Sequence, residues 1–340
     1  MPASLYRIHE LAFRTQYAEL KERVRAEPAL LPGTPGALYE RAGTGHPYWY
    51  RVYYAAPGRQ VEDLAGARGE ADALDALRQQ IEFAKWVGRQ VADLRKLEFQ
   101  VADKSVARVL VELHNLRAFE AGLIVVGTLC YMAWLNELGV KLVALRTLDV
   151  DLARRQRLKL EAPLGFLAAM QATKLPFAAV PGLSRSEPPT TVKLPGKEGL
   201  RVDMLAAGRP IGATVAVPEL NWHAQAIPHY DYLLDNAREG AILAGGHCIP
   251  VRLPAPERLV WHKLFSSAAR SGAPEKAAKD LLQAATLAAV LVEQDDEPLA
   301  ESAREAPVAL RLAAKKRLPA IRKTLVAHPQ VLEQIEAGLA

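Results

Sequence analysis

The sequence predicts an α+β fold: a mixed β-sheet with flanking helices in the middle of the chain, and helical regions at both ends. Three observations carry this. Residues 69–119 are dominated by Ala, Leu, Arg, Lys, Glu and Gln and contain no proline, which is the composition of long helices. Between residues 120 and 253, short apolar or alternating segments have the length and patterning of strands. After Pro254-Ala-Pro-Glu-Arg258, the pattern to Ala340 is helical again. The expected organisation is therefore a mainly helical region 1–119 with a small aromatic hairpin, a core at 120–253, and a helical region 254–340 that closes a cleft.

At 340 residues, half of them hydrophobic, the chain has material for a sizeable core. The net charge of +5 leans weakly toward anionic partners. Two cysteines, Cys130 and Cys248, cannot build a disulfide framework and fall short of the four ligands of a structural zinc site. The longest apolar stretch, Gly122 to Leu135, is too short to span a bilayer, and Met1 to Arg14 lacks a signal-peptide core. The expectation is a cytoplasmic, bacterial protein without a membrane partner.

Leu11, Tyr17, Leu20 and Val24 predict a helix within the first thirty residues, stopped by Leu31-Pro-Gly-Thr-Pro-Gly36. Pro47-Tyr-Trp-Tyr-Arg-Val-Tyr-Tyr54 reads as a strand, with Pro57-Gly58 turning it toward a second short strand near Val61. Leu74, Leu77, Ile81, Ala84 and Val87 form the apolar stripe of a helical hairpin that starts at Gly69. Leu123-Ile-Val-Val126 is a buried-strand signature, followed by a Gly127-Thr128 turn and a helix from Leu129 to Leu138. Strands are expected at 140–145, 148–152, 190–194 and 200–205. Another hairpin is expected over Gly245-Gly246.

The chemistry sits in three of these segments. In a strand, residues i and i+2 share a face, so Asp149 and Asp151 of Thr147-Leu-Asp-Val-Asp151 project together. Two adjacent carboxylates repel unless a cation lies between them. Mg2+, or Mn2+, suits such a pair because it takes oxygen ligands and is often shared with substrate phosphates. Asp203 of Arg201-Val-Asp203, on a neighbouring strand, would complete a two-metal set. Gly127 has no side chain to hold phosphate away from the backbone, and Thr128 adds a hydroxyl. The competing explanation of the aspartates is a solvated edge strand.

The ordered set of strand, Gly-Thr turn, helix, Asp-x-Asp strand and later Asp strand resembles the DNA polymerase beta nucleotidyltransferase superfamily. More closely, the chain resembles a bacterial nucleotidyltransferase-like family. The cues are Gly127-Thr128 with Tyr131, Arg146-Thr-Leu-Asp-Val-Asp-Leu152, Pro254-x-Pro-Glu-Arg258, and His262-Lys263-Leu264. Arg270, Lys276 and Lys279-Asp280-x-x-Gln283 complete them. The similarity covers about residues 40–295, most of the chain. It implies a nucleotidyltransferase-type sheet, metal ligation by Asp149, Asp151 and Asp203, and phosphate contact at Gly127 and Thr128. The implied reaction moves a nucleoside monophosphate from NTP, such as ATP, to an acceptor hydroxyl and releases pyrophosphate. The acceptor is left open: an RNA 3′ end, a protein side chain or a small molecule.

Other charged residues have two readings each. Arg146 touches nucleotide phosphate or balances local charge, as does Arg154. Lys263 pairs with the triphosphate or is an ordinary solvated lysine. Lys279 with Asp280 lines the cleft or forms a helix-surface ion pair. The aromatic strand 48–54 stacks bases or simply packs. His223, His229, His247 and His262 lack metal-ligand spacing. Alternatives to catalysis are an inert nucleotide- or RNA-binding module on the same fold, a metal-dependent nuclease, and an RNA-binding scaffold.

Overall fold

A computed structural model describes residues 4–42, 47–56, 58–67, 71–182, 184, 187–270, 272–294 and 299–340. Pro57 and Gly69, assigned above to a turn and a helix start, lie outside the described residues. The chain begins with strand β1 (Arg7–Ile8) and helix α1 (Leu11–Arg25), which buries Tyr17, Leu20 and Val24. Leu11, counted in the stripe, is exposed.

An antiparallel sheet of β2 (Ala37–Ala42), β3 (Pro47–Ala56) and β4 (Arg59–Ala67) follows. The sequence reading contained only two of these strands, because β2 directly follows the Pro/Gly-rich stretch. Arg51 and Tyr53 of β3 are buried, while Tyr39, Tyr48 and Tyr54 are exposed.

The helical hairpin is α2 (Ala71–Lys96) and α3 (Lys104–Asn115). No proline separates them. The break comes from Glu98 in a left-handed conformation, φ 70°, with the Phe99 N–H donating to the Leu94 carbonyl. Asp103 then caps α3 by accepting from Ser105 N at 2.8 Å.

Strand β5 (Ile124–Val126) runs directly into α4 (Gly127–Glu137), so the Gly-Thr pair is the first turn of the helix. Next come β6 (Val140–Lys141), paired with β1, then β7 (Asp149–Arg154), α5 (Phe166–Ala172) and β8 (Ala178–Ala179). Strands β9 (Thr191–Lys193), β10 (Arg201–Ala207), β11 (Thr214–Val217) and β12 (Trp222–Ile227) follow. The short helix α6 (Tyr230–Leu233) leads to a hairpin of β13 (Arg238–Ala244) and β14 (His247–Leu253). Gly245 and Gly246 connect them, both at positive φ, as a two-residue turn of this kind requires. The C-terminal helices are α7 (Pro256–Ala269), α8 (Pro274–Gln294), α9 (Leu299–Arg304), α10 (Val308–Lys315), α11 (Leu318–Thr324) and α12 (Pro329–Leu339).

The protein is thus an α+β fold with a mixed central sheet between N- and C-terminal helical regions. The sheet order is β11-β12-β10-β7-β5. Strand β10 is parallel to β7 along one edge. Its other edge is shared: β9 pairs antiparallel at 201–203 and β12 parallel at 205–207. Val150, Leu152, Val202 and Met204 point to one face of the sheet and are fully buried. That packing fixes the strand register, since a one-residue slip would bury the intervening aspartates. One continuous apolar core runs from Tyr6 to Leu339. Among the described residues, no helix is long and apolar enough to cross a membrane.

Candidate active site

Register brings the predicted carboxylates together. Asp151 of β7 lies directly opposite Asp203 of β10, and Asp149 opposite Arg201. Paired residues of adjacent strands share a face, as do i and i+2, so all four project from the side opposite the apolar core. Thr191 of β9, opposite Asp203, joins them. Arg154 falls on the other face, where it donates to the Ala216 carbonyl and lies 3.3 Å from Glu219, away from the carboxylates.

Gly127 holds one wall of this cluster. A Cβ built there would sit 2.0 Å from Oδ2 and 2.9 Å from Cγ of Asp151, and the residue has φ +70°. Any side chain would displace the carboxylate. The glycine predicted as a phosphate cradle therefore also makes room for Asp151. Thr128 lines the same cavity, at the start of α4.

The cavity has a volume of about 440 Å³. The aspartates form its sheet side, Tyr230, Leu233 and Leu259 supply apolar wall, and α7 and α8 bring Lys263, Arg270, Lys276 and Lys279. Burial pushes the Asp151 carboxyl up to about 6, reinforced by repulsion from Asp203 and Asp149 and opposed by Lys263 and Arg270. Lys263 is not a solvated lysine: it is buried, and its Nζ donates to Asp280 Oδ1 at 3.3 Å. Burial lowers its pKa, and Asp280 works against that shift. Asp280 also accepts from Arg270 Nη1 at 2.5 Å. Of the two readings given to Asp280, the helix-surface pair does not hold: Asp280 lines the cavity and is a buried bridge between Lys263 and Arg270. Lys279 is exposed at the mouth of the cavity, and Arg146 lines an adjoining one.

The family model described as Nucleotidyltransferase matches residues 104–307, more than half of the chain. The chain belongs to this nucleotidyltransferase family. The matched span contains β5, α4, β7, β10, α7 and α8, which are the elements that build the cavity. No curated protein and no solved structure matches the chain.

The same face carries two residues that sequence spacing missed. Arg201 Nε lies 2.8 Å from both oxygens of Asp203, and Thr191 Oγ1 donates to Asp203 Oδ1 as well. Arg201 Nη2 donates in turn to Thr191 Oγ1 at 3.1 Å. The signal for Arg201 was present, as the i−2 neighbour of Asp203 on one strand face. Thr191 carried none until β9 was placed on the edge of β10.

The fold family implies a divalent cation here, and the donor set meets part of that requirement. Asp149 and Asp151 are oxygen donors on one face, and the repulsion felt by Asp151 is what a cation relieves. Yet among the described residues no group of three or more His, Cys, Asp or Glu is arranged to hold a metal ion. Asp203 is instead tied up by Arg201 and Thr191. Asp149 and Asp151 are the residues that would hold a cation, and Asp203 would join them only by giving up Arg201.

Proposed function

We propose that this chain transfers a nucleoside monophosphate from NTP to an acceptor hydroxyl, releasing pyrophosphate. The observation that carries the reading is the Asp151–Asp203 register pair, with Asp149 beside it, at the wall of a cavity edged by Lys263, Arg270, Lys276 and Lys279. Acidic groups on one side and cationic groups on the other suit a metal-bound triphosphate. In the reaction, the acceptor oxygen bonds to the α-phosphorus, and the bond from that phosphorus to the α–β bridging oxygen breaks. The hydroxyl proton passes to solvent, and the electron pair leaves with pyrophosphate.

Asp149 and Asp151 would hold Mg2+ or Mn2+, joined by Asp203 once it gives up Arg201; such a cation would neutralise phosphate charge and acidify the attacking hydroxyl. Gly127 and Thr128 let phosphate approach the start of α4, where free backbone N–H groups favour anions. Lys279 and Lys276 balance the β- and γ-phosphates at the mouth. Arg201 sets the orientation of Asp203. Catalysis on this reading is alignment plus charge neutralisation.

A second reading has one observation in its favour. The Arg201–Asp203 pair satisfies the carboxylate that would otherwise complete the metal set, as an inert nucleotide-binding module on the same fold would do. Purified protein, Mg2+ or Mn2+ and each labelled NTP separate the two. Transfer of label by the native chain, abolished in Asp149→Ala, supports the enzyme. Metal-dependent NTP binding without transfer selects the inert module.

A further inference from the structure

Beside the aspartate cavity lies a second one of about 500 Å³, which shares Asp149, Arg201 and Lys279 with it. Its lining carries five cations (Arg146, Lys193, Lys197, Arg201 and Lys279) against two carboxylates, Asp149 and Glu198. Arg146, Lys193, Lys197 and Lys279 make no ion pair among the described residues. Lys193 Nζ donates to the Lys197 carbonyl at 3.1 Å, which ties the end of β9 to the middle of the segment joining β9 to β10. Among the described residues, the only large apolar side chain in the lining is Leu148, and there is no aromatic ring. A nucleobase therefore finds no stacking surface here, whereas a row of phosphates finds several cations. The apolar wall suited to a base, at Tyr230, Leu233 and Leu259, is in the other cavity.

We infer that this basic lobe holds the phosphate backbone of a single-stranded nucleic-acid acceptor, with the terminal hydroxyl delivered over Asp149 toward Asp151 and Asp203. The inference rests on the transfer reaction proposed above and narrows its acceptor to a nucleic-acid strand. Because Asp149 and Arg201 line both cavities, a strand lying in the lobe ends where the NTP α-phosphate would sit. Phosphate in the lobe has two sources, the acceptor backbone and the NTP's own triphosphate tail, and these respond differently to charge removal.

The test uses the full chain and the double variant Lys193→Gln with Lys197→Gln, both on the lobe side only. Binding of a short labelled single-stranded RNA is followed by anisotropy across a salt series, and binding of a fluorescent NTP is measured with Mg2+. The expected result is RNA affinity lowered about tenfold, with the salt slope reduced by about 1.4 for two lost contacts, and NTP affinity within about twofold of the native chain. A loss of NTP affinity with RNA binding unchanged assigns the lobe to the triphosphate and overturns the inference. So does unchanged binding of both, or equal binding of an acidic peptide. Label transfer is scored separately: RNA bound through the lobe without any NMP transfer defeats the proposed reaction but not the lobe's ligand, whereas transfer that persists with no effect of the lobe variants defeats the lobe alone.

Discussion

At Gly127 the carboxylate of Asp151 occupies the space in which a side chain would stand, with 2.0 Å between its Oδ2 and a built Cβ. Gly127→Ala should therefore move the carboxylate, not merely crowd a phosphate. A displacement near 1 Å at a reacting centre costs about a hundredfold in rate, so transfer activity in G127A should fall by that order while its circular dichroism stays native. Native activity in G127A would detach Asp151 from the chemistry. Another buried group, His262, reports on stability. Its Nε2 faces the Pro228 carbonyl at 3.4 Å, Ser266 Oγ lies 3.5 Å from Nδ1, and burial holds its pKa down, from 6.5 to about 3. The unfolded chain binds this proton more readily, so the stabilisation is complete above pH 6.5 and is lost as pH falls toward 3. Denaturant unfolding should show His262 contributing a loss of roughly 3 kcal/mol on acidification to about pH 4, and His262→Gln should flatten that slope.

Helices α7 and α8 are joined through Asp280, which accepts from both Lys263 and Arg270. Removing it leaves the buried Lys263 ammonium without its hydrogen-bonded counter-charge. Asp280→Ala should cost about 3–5 kcal/mol, read as a lower denaturation midpoint. Adding Lys263→Met to that variant removes the stranded charge and should recover much of the loss. Recovery failing in the double variant would mean that Asp280 acts through Arg270 instead. Secondary structure at this scale was largely legible. Asp-x-Asp between apolar residues has one way to lie in a strand against a core, and Gly245-Gly246 between apolar runs has one way to turn. The strands β11 and β12 and helix α6 were not anticipated. Strand β2 was hidden by the neighbouring prolines and glycines, although three-stranded pairing with β3 gave it a partner.

The core does not end where the family match ends. Trp261 of α7 donates to the Leu299 carbonyl and to Ser302 Oγ, and it packs so close to Gly338 that a Cβ there would lie 2.9 Å from its ring. Val331 and Ile335 of α12 are fully buried. At the other end, Glu137 of α4 accepts from Tyr17 of α1 at 2.8 Å and from the Ala241 N–H of β13 at 2.8 Å. A chain truncated to the matched residues 104–307 should therefore expose apolar core at both ends and aggregate. A soluble, monomeric fragment by light scattering would contradict this.

By itself the sequence determined the fold class, the elements that carry the aspartates, and the acidic and glycine residues at the site. These follow from local rules: period-two alternation, glycine where a side chain has no room, and proline where a helix must start. Tertiary structure alone decided the partners. Only the β7–β10 register sets Asp203 across from Asp151, and only the pairing of β9 with β10 brings Thr191 onto Asp203. Only the packing of α7 on α8 turns Lys263 and Asp280 from surface charges into a buried bridge. Contacts between residues tens of positions apart depend on which strands pair and which helices pack, and no local pattern encodes that choice.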